Sequence, residues 1–185
     1  MSYDFFKDAQ EDFLKIEKLG IDLENFDIST CVDTNAFGGP HSGYKTKQPL
    51  KITNFGSSEA TGFYLDIAKA FNFKPTGTKN KEIAYYRYCL SWHYDIIHQE
   101  EQDDYFHESI ISLKRSIRFD FHPYVENLSP LEKEPHWHPN GCSELKTKTE
   151  KLEPFEAVAF FAKFFAEDVF KGLHPNLQDK VNNIF

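Results

Sequence analysis

The chain has 185 residues, 40% apolar and 27% charged, with a formal charge of -8, which suits a single domain over residues 1–185. No run approaches the ~20 apolar residues of a membrane helix, and the start "MSYDFFKDAQ" lacks a basic segment followed by an apolar stretch, so a cytoplasmic protein with no membrane span is expected. The acidity repels phosphate at long range, so any nucleic-acid contact has to come from a local basic patch.

The first element is a helix over 3–19: "YDFFKDAQEDFLKIEKLG" spaces Phe6, Ala9, Phe13, Ile16 and Leu19 at helical intervals and ends on Gly20, the usual residue past a helix end. Residues 35–56 carry "GGPHSG", "KTKQP" and "NFG", turn residues that predict a loop around a short strand near "PLKIT". Their glycines match neither a phosphate-binding loop nor a dinucleotide fingerprint. A second helix is expected over 58–72, capped by Ser57 or Ser58, with Ala60, Phe63, Tyr64, Ile67, Ala68 and Phe71 as a buried stripe.

From Ile83 the period changes to two. Ala84, Tyr86, Tyr88, Leu90, Trp92, Tyr94 and Ile96 fall on one face, and Arg87, Cys89, Ser91, His93 and Asp95 on the other. After the acidic connection "QEEQDDY", Ile111, Leu113, Arg115, Ile117, Phe119 and Phe121 alternate with Ser112, Lys114, Ser116, Arg118, Asp120 and His122. The two runs, 83–98 and 109–122, read as an antiparallel hairpin. A turn centred near Gln102 and Asp103 places Arg87 opposite Arg118, Tyr85 opposite Asp120 and His93 opposite Ser112; a slip by two would preserve the faces. A last helix over 154–170 opens on Pro154, carries Phe155, Val158, Ala159, Ala162, Phe165 and Val169 inward and stops before Gly172. The tail "HPNLQDKVNNIF" reads as an extra turn or a partner-binding end.

The 19 Phe, 9 Tyr and 2 Trp predict a ring-rich core. The architecture expected is α+β: a mostly antiparallel sheet with three main helices packed on its aromatic face. Cys31, Cys89 and Cys142 are an odd number without paired spacing, so free thiols are expected. His41, His107 and His174 lie in polar stretches and read as solvated, and Cys89 reads as a small buried thiol.

Three polar clusters carry the candidate chemistry: Arg87 to Asp95, "RFDFHP" from Arg118, and "EPHWHPNG" from Glu134 to Gly141. Imidazoles accept and donate protons near neutral pH, which makes His136 and His138, with His122 as alternate, a candidate acid–base pair for phosphodiester cleavage. Arg118 is the candidate phosphate binder, because a guanidinium presents a forked permanent charge. Asp120 can orient a histidine, and Arg87, His93 and Trp137 are candidate substrate contacts. No cofactor is required; the alternative is a transition metal on His136 and His138 with His122 or Asp120 as third ligand, since alternation in an extended His-Trp-His segment sends both imidazoles to one side. The same alternation predicts that Trp137 is buried against the aromatic face or the last helix while at least one flanking histidine reaches solvent. A structural account of the same residues is an Arg118–Asp120 ion pair and a tryptophan-anchored loop.

The segments "SIRFDFHP", "PHWHPNGCSEL" and "LEPFEAVAFFAKFF" together resemble the C-terminal half of the bacterial family known as domain of unknown function 2290. More remotely they are similar to toxin proteins of the TumE type. The resemblance covers residues 115–165 and rests on Arg118, Asp120, His136 and His138. It implies a small bacterial protein of the toxin–antitoxin or phage-defence kind acting on RNA. The function expected is thus a metal-independent, ribonuclease-like enzyme, with RNA as partner through a local site. The alternative is a non-catalytic inhibitor or adaptor whose acidic surface binds a basic protein.

Overall fold

Strict alternation of inward and outward side chains decides the architecture. The computed structural model describes residues 4–31, 42–56, 60, 62–73, 81–102, 105–123, 129–139 and 145–184. Among these, nine strands form one antiparallel sheet: β1 (Leu23–Glu24), β2 (Ile28–Cys31), β3 (Ser42–Thr46), β4 (Leu50–Ile52), β5 (Gly62–Phe73), β6 (Lys81–Gln102), β7 (Tyr105–Phe121), β8 (His136–His138) and β9 (Thr147–Lys148). Their order is β1-β4-β5-β6-β7-β8-β9, with β3 pairing a second stretch of β5 and β2 flanking β3. The helices are α1 (Phe5–Glu17), the single turn α2 (Pro130–Lys133), α3 (Pro154–Phe165), α4 (Glu167–Gly172) and α5 (Pro175–Asn182). The fold is α+β with a mostly antiparallel sheet, as its patterning predicts. None of these helices is long and apolar enough to cross a membrane.

The helix expected over 58–72 is instead β5. Phe63, Ile67 and Phe71 are four apart and satisfy a period of two as well as one near 3.6, so they do not separate helix from strand. Leu65 and Lys69 do: both are buried on the same side as those three, which only a strand allows. Central pairing with β4 and β6 then overrides helical propensity. Of the proposed caps, Ser57 and Ser58 lie outside the described residues. The loop expected over 35–56 contains β3 as well as the expected strand β4.

The β6–β7 hairpin forms in a register two places from that expected. Arg87 faces Asp120, Cys89 faces Arg118 and His93 faces Lys114, because the turn lies between Gln102 and Tyr105. A shift of two leaves every side chain on its face.

Helices α1 and α3 cover the aromatic face. Phe5, Ala9, Phe13 and Ile16 of α1 and Ala157 to Ala162 of α3 are buried. Phe119 of β7 meets Phe160 edge-on at 5.2 Å, and Phe165 packs on Trp92 at 4.8 Å and Phe63 at 5.0 Å. Each fully buried ring contributes about 1.5–3 kcal/mol by leaving water. Pro154 starts α3, and Glu153 and Glu156 form a reciprocal cap there. The predicted helix 154–170 is broken at Ala166, where α4 begins, and the tail forms α5.

One charge sits inside this apolar layer. Lys69 of β5 is 4% exposed, and its ammonium bonds Asp12 of α1 at 2.8 Å and Glu153 at the start of α3. The buried Tyr44 hydroxyl donates to Asp12 at 2.5 Å. Because the buried cation has two carboxylate partners, its desolvation is offset and the cluster ties α1, β3, β5 and α3 together.

Candidate functional site centred on Asp120

The opposite face of the sheet carries a polar row. Cross-strand pairing sets Arg87 of β6 beside Asp120 of β7, and Asp120 beside His136 of β8. The next row sets Cys89 beside Arg118, and Arg118 beside His138. Alternation sends Trp137, between the two histidines, to the aromatic face, where it packs on Phe160 at 5.9 Å and Phe119 at 6.4 Å. The proline on either side of "HWH" suits a three-residue strand, since proline sits at strand limits.

Asp120 is the hub. Its carboxylate is 0% exposed and accepts from Arg87 Nε at 2.9 Å on Oδ1 and from Arg118 Nε at 2.5 Å on Oδ2. His138 Nε2 lies 3.3 Å and His122 Nε2 3.9 Å from Oδ2. Burial alone would raise the Asp120 pKa. The bond from His138 and the charges of Arg87 and Arg118 outweigh it, holding the carboxyl far below its ordinary range. Both arginines use Nε on this carboxylate, so their forked Nη ends belong to neither bond; the side chains are 45% and 28% exposed.

The histidines differ in their settings. His136 Nδ1 donates to the Glu134 carbonyl at 2.7 Å, which leaves the lone pair on Nε2. Its ring centre lies 4.9 Å from that of His138 and 5.9 Å from that of His122. Burial lowers the His136 pKa and, partly opposed by Asp120, pushes His122 down to about 4. His136 and His138 are 1% and 2% exposed, so the expectation that one of them reaches solvent is overturned: strand pairing on both edges of His136 and the hub beneath both rings enclose them. The His122 side chain is 13% exposed.

The structure therefore brings His136, His138, His122, Arg118, Asp120 and Arg87 together. It does not add His93, which lies six residues along β6 from Arg87, roughly 20 Å away, beside Tyr64. Trp137 faces away from the cluster. His41 and Cys142 lie outside the described residues. Tyr85, absent from the sequence-derived set, joins it: it is buried on the polar face with its ring 5.5 Å from His122. The signal for it was alternation with Arg87, which put it on the polar face beside Asp120 in either register.

Chemically, the cluster offers two fixed guanidiniums, imidazoles at graded depth and one ionised carboxylate. No family model, no curated protein and no solved structure matches the chain.

Proposed function

We propose that the chain cleaves phosphodiester bonds in RNA, with Arg87 and Arg118 holding the phosphate and His122 carrying the proton. The observation that supports this is the single buried carboxylate that fixes both guanidiniums by Nε and leaves their partly exposed forks to an anion. On a chain of net charge -8, this is the kind of local basic patch that phosphate recognition demands. His136 and His138, the acid–base pair expected from sequence, are enclosed and serve as inner supports; His122, at the rim, takes the proton-transfer role. In the reaction His122 accepts the proton of a ribose 2′-hydroxyl as that oxygen attacks phosphorus. The bond to the 5′-oxygen breaks, and the departing oxygen takes a proton from the imidazolium, leaving a cyclic phosphate. The toxin or phage-defence role implied by the resemblance belongs to the same proposal.

A second reading, a non-catalytic adaptor for a basic partner, draws on the outer half of the β6–β7 hairpin. From Tyr94 to Leu113 the sequence holds Asp95, Glu100, Glu101, Asp103, Asp104 and Glu108 and neither Lys nor Arg. Incubating purified protein with total RNA and with single-stranded DNA, with and without chelator, separates the readings. RNA cleavage that survives chelator, ends in a cyclic phosphate and spares DNA is the expected result. Inertness toward RNA under all conditions overturns the proposal in favour of the adaptor.

A further inference from the structure

We infer that Asp120, His136 and His138 form a site for one first-row transition-metal dication, zinc(II) by the character of its ligands. It shares Asp120 and the two histidines with the phosphodiester reading but rests on the geometry of β7 and β8, not on that activity.

The three ligand atoms lie within 4.8 Å of one another, and all three residues are buried. His138 Nε2 and Asp120 Oδ2 stand 3.3 Å apart. That is long for a charge-assisted hydrogen bond, which settles at about 2.7–2.9 Å. This one edge matches that of a tetrahedron whose metal bonds are about 2.0–2.1 Å, roughly 3.3–3.4 Å, while the full set, spread over up to 4.8 Å, draws in on binding. His136 adds what a ligating imidazole ordinarily has: its Nδ1–H is spent on the Glu134 carbonyl at 2.7 Å, which fixes the tautomer and leaves Nε2 to bind. The ligand set is supplied by paired strands, Asp120 directly opposite His136 and His138 opposite Arg118, so the donors are placed by backbone pairing and not by loops.

The carboxylate has capacity for this. Its two oxygens offer about four lone-pair sites, of which Arg87 and Arg118 take one each and His138 a third, which metal binding would replace as Nε2 gives up its proton. The two guanidiniums repel a dication, and the ionised carboxylate that they share opposes that repulsion. Neutral imidazole and carboxylate donors suit zinc and its first-row neighbours, and a carboxylate–imidazole set without thiolate suits them better than copper(I).

The test uses the full chain, stripped with chelator and dialysed. Zinc(II) is titrated against a chromophoric competitor, and cobalt(II) serves as a visible probe of geometry. One equivalent should bind, with the intense cobalt bands of a four-coordinate site. Asp120→Asn and His138→Ala should each lower affinity at least tenfold, while His122→Ala keeps the full equivalent. Circular dichroism of each variant separates lost ligation from lost fold, and the wild-type cobalt spectrum stands without any variant. Absence of stoichiometric uptake by the folded wild type overturns the site, as does uptake that Asp120→Asn and His138→Ala leave unchanged. Zinc bound with no RNA cleaved keeps this site and removes the phosphodiester reading; RNA cleaved with no zinc bound does the reverse.

Discussion

The sheet carries an ion cluster on each face, and the two are built to opposite plans. Under α1 and the start of α3, one ammonium, that of Lys69, is shared by Asp12 and Glu153, and Tyr44 closes onto Asp12. Lys15 also pairs with Asp12 at 3.9 Å, so the charges balance there, and the Lys69 side chain is 5% exposed. Around Asp120 the balance tips to the cations: one carboxylate serves two guanidiniums whose side chains are partly exposed. A network closed on itself stabilises a fold, whereas one with surplus donors directed outward is available to a ligand. The ratio and direction of the charges separate the two roles, although burial of the central residue does not.

The comparison can be broken first at Lys69. Lys69→Met removes the buried cation from Asp12 and Glu153, leaving Asp12 to Tyr44 and the more distant Lys15, and should cost about 3–5 kcal/mol in denaturant unfolding. Adding Asp12→Leu should recover much of that, because an apolar replacement of a buried pair is near neutral. A cost below about 1 kcal/mol for the single variant would mean the cluster is open to water after all. Next in size is Asp120→Asn, which weakens charged hydrogen bonds whose donors can turn to solvent; about 1.5–3 kcal/mol is expected from the same measurement. The smallest stability effect belongs to Arg118→Gln, under about 1 kcal/mol for a partly exposed pair. That variant sharpens the contrast, because RNA cleavage should fall by about 10²-fold or more when a charge that stabilises the transition state is removed. Equal losses of stability in Arg118→Gln and Lys69→Met would erase the distinction between the faces.

Much of this was legible in sequence where periods do not overlap. The runs from Ile83 and to His122 alternate for many residues, and no helix accommodates them, so the hairpin and the shared face of Arg87, Arg118 and Asp120 followed. The stretch from Gly62 to Phe73 was not legible, because Phe63, Ile67 and Phe71 fit both periods, and of the two residues that break the tie, Leu65 and Lys69, the second is a charge no pattern places inside. Alternation also put His93 on the site's face but says nothing of distance along a strand, which removes it. The enclosure of His136 and His138 depends on what pairs and packs around them, and no local pattern records that.

The spacing of the two clusters along the chain has a consequence for the order of folding. Arg87 and Asp120 are 33 residues apart on two strands joined by one turn, and hairpins close in about 1–10 μs. Lys69 must meet Asp12, 57 residues before it, and Glu153, 84 residues after it, contacts that carry a larger loop-closure entropy. The guanidinium–carboxylate pair can therefore assemble while α1 and α3 are still undocked. In native-state hydrogen exchange the amides of β6 and β7 near Asp120 then belong to a different cooperative unit from those of α1.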